Sequence, residues 1–160
     1  MVEFFPGQEE RKENIMPNWC NNFIVIEGEE QDLHDFYSKA TDNGFIMFSK
    51  LFPVPIGVNE DDWKIQNWTA LMNPSYRDDM IGLVFERNDS GADISLEGYF
   101  RTRNVPPHAW LERVQQLYPS LKFSLSFNEP LSGLIGELYT LYDENQKPYI
   151  EVDIGEISRD

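Results

Sequence analysis

Apolar and polar residues alternate most regularly in the second half of the chain. Ile94, Leu96, Gly98 and Phe100 alternate with Asp93, Ser95, Glu97, Tyr99 and Arg101, which predicts a strand with one apolar and one mostly polar face. Leu121, Phe123, Leu125 and Phe127 alternate as strictly with Lys122, Ser124, Ser126 and Asn128. Ile81, Leu83 and Phe85 predict a strand before the Ser90-Gly91 turn. Leu134–Tyr142 and Tyr149–Ile154 predict a terminal hairpin about the polar turn 143–147. Nearer the start, Phe23, Ile24, Val25 and Ile26 make a short apolar strand.

Two stretches carry the helical period instead. Leu33, Phe36, Tyr37 and Ala40 fall on one face, behind Glu29, Glu30 and Asp32, whose charges suit a helix N-terminus; Asn43-Gly44 is the stop signal. Trp110, Leu111, Val114, Leu117 and Tyr118 form the second stripe, opened by Pro106-Pro107 and closed by Pro119. Between the helices, "FIMFSKLFPVPIG" is apolar but broken by Pro53 and Pro55, which predicts an extended connection. Residues 60–79 are polar and irregular, and predict a loop insertion near 56–79. The class is α+β: a βαββαβ plan with a mostly antiparallel sheet, two helices on one face and extra C-terminal hairpin strands. Residues 16–160 read as a single domain and residues 1–15 as an N-terminal extension.

Charge changes the picture more than composition does. The net charge is −15, and residues 1–80 carry 15 acids against 6 bases while residues 81–160 carry 13 against 7. Acid is therefore spread over the whole domain. This disfavours direct nucleic-acid binding, which needs Lys and Arg on phosphates, and favours a partner with a basic surface. Glu29, Glu30, Asp32, Glu60, Asp61, Asp62, Asp78 and Asp79 are the candidate acidic contacts. No apolar run reaches a membrane span and no secretion-type opening is present, so a soluble cytoplasmic protein is expected.

Catalytic chemistry has little support. The two histidines, His34 and His108, fall in the two helices, and no metal-ligand spacing, phosphate loop or nucleophile elbow occurs. Cys20 is the only cysteine, and a buried thiol is the ordinary state of such a residue. The expectation is no enzyme, no metal and no cofactor. Arg101 and Arg103 carry a sharper argument. They share one face at the end of a strand and lead into the helix start at Val105-Pro106-Pro107, where free backbone N–H groups favour an anion such as a nucleotide phosphate. The competing reading pairs them with Glu97, Asp93 or Glu129. Asn-Trp occurs twice, at Asn18-Trp19 and Asn67-Trp68. With Trp63 these rings either stack a base or cap the end of the sheet.

"MPNWCNNFIVIEG" at 16–28, with "WKIQNW", "RTRNVPPHAW", "YPSLKFSLSFNEP" and "GLIGELY" downstream, resembles the YubB ferredoxin-like family of phage and plasmid proteins. Members of that family start at the equivalent of Met16. The resemblance covers about residues 16–142. It departs from the family pattern at Thr69–Met72 and at Thr102–Asn104. It implies a ferredoxin-like fold and a mobile-element origin, and no reaction. Joined to the charge, it points to a non-catalytic accessory protein, a counter-defence inhibitor that presents a DNA-mimic-like acidic surface to a host defence or restriction component. The alternative is a protein that sequesters a nucleotide or other phosphorylated molecule at Arg101, Arg103 and the Asn-Trp tryptophans.

Overall fold

The structure, a computed structural model, describes residues 18–156; the extension 1–15 and the Met16 start lie outside the described residues. The elements run β1 (Trp19–Glu27), α1 (Glu30–Ala40), β2 (Thr41–Asp42), β3 (Phe45–Ile46), α2 (Phe48–Leu51) and α3 (Glu60–Asn67). They continue with β4 (Val84–Arg87), β5 (Ile94–Arg103), α4 (His108–Leu117), β6 (Lys122–Glu129), β7 (Leu134–Tyr142) and β8 (Pro148–Glu156). Six strands form one sheet in the order β4-β5-β1-β6-β7-β8, and every neighbouring pair is antiparallel.

β1 lies inside the sheet because it is apolar enough to be bonded on both edges. It pairs with β5 from Trp19↔Arg103 to Glu27↔Ser95, and with β6 from Asn21↔Asn128 to Glu27↔Lys122. Its side chains alternate by face: Cys20, Asn22, Ile24 and Ile26 are buried, while Trp19, Asn21, Phe23 and Val25 are only partly so. The buried set meets the helices. Leu33 and Phe36 of α1 and Trp110, Leu111 and Val114 of α4 are fully enclosed with Leu96, Phe100, Phe123 and Leu125 of the sheet. Aromatic rings bridge the layers: Phe36 lies edge-on to Trp110 at 6.4 Å and to Phe123 at 6.1 Å, and Phe48 sits 4.9 Å from Trp110.

The amides and hydroxyls of this covered face are bonded, while Trp110 Nε1 has no hydrogen-bond partner among the described residues. The Asn22 amide donates to the Cys20 and Phe100 carbonyls and to Thr102 Oγ1, and Thr102 donates to the Val105 carbonyl. Gln115 of α4 donates to the Tyr118 and Leu121 carbonyls and accepts from Thr140 of β7. Such bonds fix how α4 sits on the sheet, because an unpaired buried amide is costly.

Four predicted features differ. The insertion 56–79 is not all loop: Glu60–Asn67 is a helix, capped by Asn59 Oδ1 accepting from the Asp62 N–H and opened by three acids that suit its positive end. No residue of that helix is buried, so it carries no apolar stripe by which periodicity could reveal it. The stretch 45–57 contains β3 and the one-turn helix α2, which drives Phe48 into the core. The first helix ends at Ala40, and Asn43-Gly44, both with positive φ, turns the small β2–β3 hairpin rather than stopping the helix. The strand expected at 81–85 begins at Val84. Ile81–Leu83 instead crosses the hairpin: the Leu83 N–H donates to the Gly44 carbonyl at 2.7 Å, and a Cβ at Gly82 would stand 2.4 Å from a Gly44 backbone carbon.

Candidate functional site

The helices cover one face of the sheet; the other stays open. On it stand the alternate residues of the two adjacent strands β1 and β5. Register places Asn21 opposite Arg101, Phe23 opposite Tyr99 and Val25 opposite Glu97. The Phe23 and Tyr99 rings lie 4.6 Å apart at 41°, and Tyr99 is 61% exposed. The segment 77–82, pinned by the Gly44–Gly82 crossing, forms a wall beside them. Together they enclose a groove of about 630 Å³, lined by Phe23, Tyr99, Met80, Ile81, Val84, Glu97, Asn21, Arg77 and Asp79 among others. A shallower hollow of about 340 Å³ runs on across β6 and β7 over the same two rings, past Ser126, Asn128 and Glu137. The first volume lies in the range of small-molecule sites, and its make-up, apolar with a few charged groups, is theirs too.

Arg101 stands on the same strand face one step beyond Tyr99, opposite Asn21 and bridged to Ser75, just outside the residues that line the groove. Its guanidinium lies over the Trp19 ring at 4.4 Å, and one Nη donates weakly to Ser75 Oγ at 3.4 Å. Its Nε is buried and has no hydrogen-bond partner, and no carboxylate among the described residues forms an ion pair with it. The predicted partners Glu97, Asp93 and Glu129 are not bound to it: Glu97 accepts from Ser95, Asp93 from Asn88, and Glu129 from the Leu131 and Ser132 N–H groups. Partial burial and then the nearby Arg77 charge pull the Arg101 pKa below its ordinary value, with Asp79 opposing them. An arginine stays charged nonetheless.

The other predicted ligand residues go elsewhere. Arg103 ends β5 with Nη1 3.5 Å from Met72 Sδ, and lines a separate hollow with Asp61, Lys64 and Thr69. At the start of α4 the Ala109 N–H is taken by Thr69 Oγ1 at 2.9 Å, so the anion position expected there is partly filled from within. Asn18 uses its carbonyl to accept the Asn104 N–H at the turn after β5. Trp63 and Trp68 meet edge to face at 6.0 Å, away from the Trp19–Arg101 contact. Trp68 is 2% exposed and donates to the Phe52 carbonyl, and Asn67 holds Arg113 of α4. That trio therefore packs α3 against α4, and only Trp19 belongs to the open face.

Several of the predicted acids have local partners. Glu30 takes a two-pronged bond from Arg87, both contacts at 2.9 Å, which with His34 holds its carboxyl below the usual range. Asp32 accepts from Ser120, Glu60 pairs with Lys64, and Asp79 pairs with Arg77. Asp61 and Asp62 stand in the first turn of α3, Glu29 precedes α1, and Asp78 adjoins the Arg77–Asp79 pair. A different acidic group appears on the open face of β7 and β8. Register sets Glu137 opposite Asp153 and Tyr139 opposite Glu151. Burial and then these three carboxylates push the Tyr139 hydroxyl pKa up. Strand alternation in "GELYTLY" and "YIEVDIG" already puts these side chains on one face of each strand; the pairing of the strands was the missing step.

Cys20 is fully buried, and its burial pushes the thiol up to about 12. His34 stacks on Phe85 at 4.4 Å, and His108 lies 3.5 Å from Glu112. Among the described residues no three His, Cys, Asp or Glu side chains gather as metal ligands, and no helix is long and apolar enough to cross a membrane. No family model, curated protein or solved structure matches this chain.

Proposed function

We propose that this protein is a non-catalytic binding protein that captures a small, planar, anionic ligand on the open face of its sheet. One observation carries the reading. In a chain of net charge −15, an arginine with no carboxylate partner among the described residues stands on the same strand face as the Phe23–Tyr99 ring pair, whose Tyr99 is exposed. The rings offer a stacking surface and the guanidinium offers charge-assisted donors to an anion. The groove brings no nucleophile beside a base, which supports binding without turnover. Titration with aromatic carboxylates and nucleoside monophosphates, against their uncharged counterparts, tests it. Saturable binding of the anions, weakened at least tenfold in Arg101→Ala and in Phe23→Ala, is expected. Affinities that neither substitution moves overturn it.

A second reading keeps the charge at its centre: docking on the basic surface of a host nucleic-acid-binding protein, such as a defence or restriction component. Glu137, Glu151 and Asp153 support it, since they share one exposed region and have no ion pair among the described residues. Capture of such a partner at low salt and its release at high salt is expected, with Glu137→Lys/Asp153→Lys abolishing capture. A salt-independent complex argues against it. The strand order β4-β5-β1-β6, with helices after β1 and β5, supports reading residues 19–129 as a ferredoxin-like βαββαβ unit extended by the β7–β8 hairpin. It also favours the proposed YubB kinship. A single buried free thiol supports placing the protein in the cytoplasm.

A further inference from the structure

On the open face of β5, Glu97, Tyr99 and Arg101 follow one another at two-residue steps: a carboxylate, a ring and a guanidinium in line. At the rise of an extended strand, the outer two Cα atoms are roughly 13 Å apart. The carboxylate is held in place, because Ser95 Oγ donates to Glu97 Oε2 at 2.9 Å; the other oxygen has no partner among the described residues. Opposite, Phe23 widens the ring surface. At the guanidinium end, Ser75 is bridged to Arg101 through two backbone hydrogen bonds, which brings Arg77, two residues on and ion-paired with Asp79, to the same end of the face; burial and then the Arg77 charge disfavour the charged Arg101. An anion placed there relieves the repulsion between like charges.

From this we infer that the groove takes a guanine mononucleotide: the base stacks on Tyr99 and Phe23, Glu97 accepts from its edge, and Arg101 with Arg77 holds the phosphate. This rests on the small-ligand reading above and adds the ligand's identity. Guanine is the base whose N1–H and N2–H groups are adjacent donors, and two adjacent donors are what a carboxylate accepts two-pronged. Adenine and cytosine place an acceptor beside their amino group, which a carboxylate repels. The occupant is a mononucleotide rather than a strand of RNA because cations stand at one end only. Further along the face lie Glu137, Glu151 and Asp153, where additional phosphates meet like charge.

Calorimetric titration of the full chain with GMP, IMP, AMP, UMP, guanosine and a G-containing RNA tetranucleotide tests the inference. GMP is expected to bind tightest. IMP, which lacks the N2 amino group, and guanosine, which lacks the phosphate, are each expected to be at least tenfold weaker. Glu97→Gln is expected to weaken GMP at least tenfold and to leave UMP unchanged. Equal affinity for GMP and IMP overturns guanine recognition while leaving the planar-anion reading intact, and that comparison needs no variant to fold. A tetranucleotide that binds tighter than GMP overturns the mononucleotide assignment. Binding of none of them overturns this inference, and overturns the reading under it as well only if the aromatic carboxylates also fail to bind.

Discussion

The two faces of β1 hold nearly the same kinds of residue and treat them oppositely. Facing the helices, Asn22 makes three hydrogen bonds and Ile24 and Ile26 are sealed beneath Phe36 and Trp110. Facing outward, Phe23 has Tyr99 as its ring partner, and Trp19 is covered by a guanidinium whose Nε is unbonded. The unpartnered Arg101 Nε does not by itself mark the outer face, since Trp110 Nε1 inside the core lacks a partner too; what differs is exposure, with Tyr99 61% open and Trp110 fully enclosed. The lesson is that one strand divides a sealed face from an open one by residue parity, and it is the open one that the proposed binding uses.

The sharpest way to break that comparison is to truncate one ring on each face. Phe36→Ala should cost about 3–5 kcal/mol in urea denaturation, as large aromatic losses from packed cores do. Tyr99→Ala should cost under about 1 kcal/mol while removing ligand binding. If the two cost the same, the open face is structural and the division fails. A middle-sized contrast comes from the asparagines. Asn22→Ala strips a buried donor from two carbonyls and a hydroxyl and should cost about 1–3 kcal/mol. Its neighbour Asn21, whose side chain is bonded among the described residues to Asn128 alone, should cost clearly less when changed to Ala.

A smaller effect comes from pH. The Cys20 thiol is raised by burial from 9.0 to about 12. A raised folded pKa means that its contribution is complete below the ordinary value and is lost as pH climbs toward the folded one. Stability should therefore drop by about 1 kcal/mol between pH 9 and pH 10, and Cys20→Ala should flatten that slope. Native Cys20 should also resist alkylation at pH 8, where an exposed thiol reacts. The smallest expected change is Arg101→Ala, which should leave the denaturation midpoint where it is because Arg101 has no ion pair among the described residues. A marked drop would show that its stacking on Trp19 holds the strand end together.

Legibility in the sequence followed locality. The alternation at 94–101 and 121–127 and the bounds of Leu134–Tyr142 were readable because each strand states its own two faces. Arg101 and Trp19 were singled out from residue type, and their contact was not foreseen. What joined Phe23 to Tyr99 was register between strands far apart in the chain, which no local pattern encodes. The grouping of Trp19 with Trp63 and Trp68 failed for the same reason. A repeated Asn-Trp dipeptide says nothing about which side of the sheet each copy reaches. The helix at Glu60–Asn67 was hidden differently: with nothing buried, its signals were only a cap and three acids.

The crossing of Gly82 over Gly44 has a consequence for evolution. A methyl group at Gly82 would collide with the Gly44 backbone, one at Gly44 would be strained by its φ of +91° and tight against Tyr37 and Leu83, and the segment they hold is one side of the groove. The clearance above the rings is thus set in part by a backbone-to-backbone contact between Gly82, which lines the groove, and Gly44, which does not. An alanine at 82 would have to part these two backbones, shifting the wall without replacing any side chain of the groove. A lineage could in this way regauge the slot for a larger or smaller guest by one codon, with its recognition chemistry unchanged.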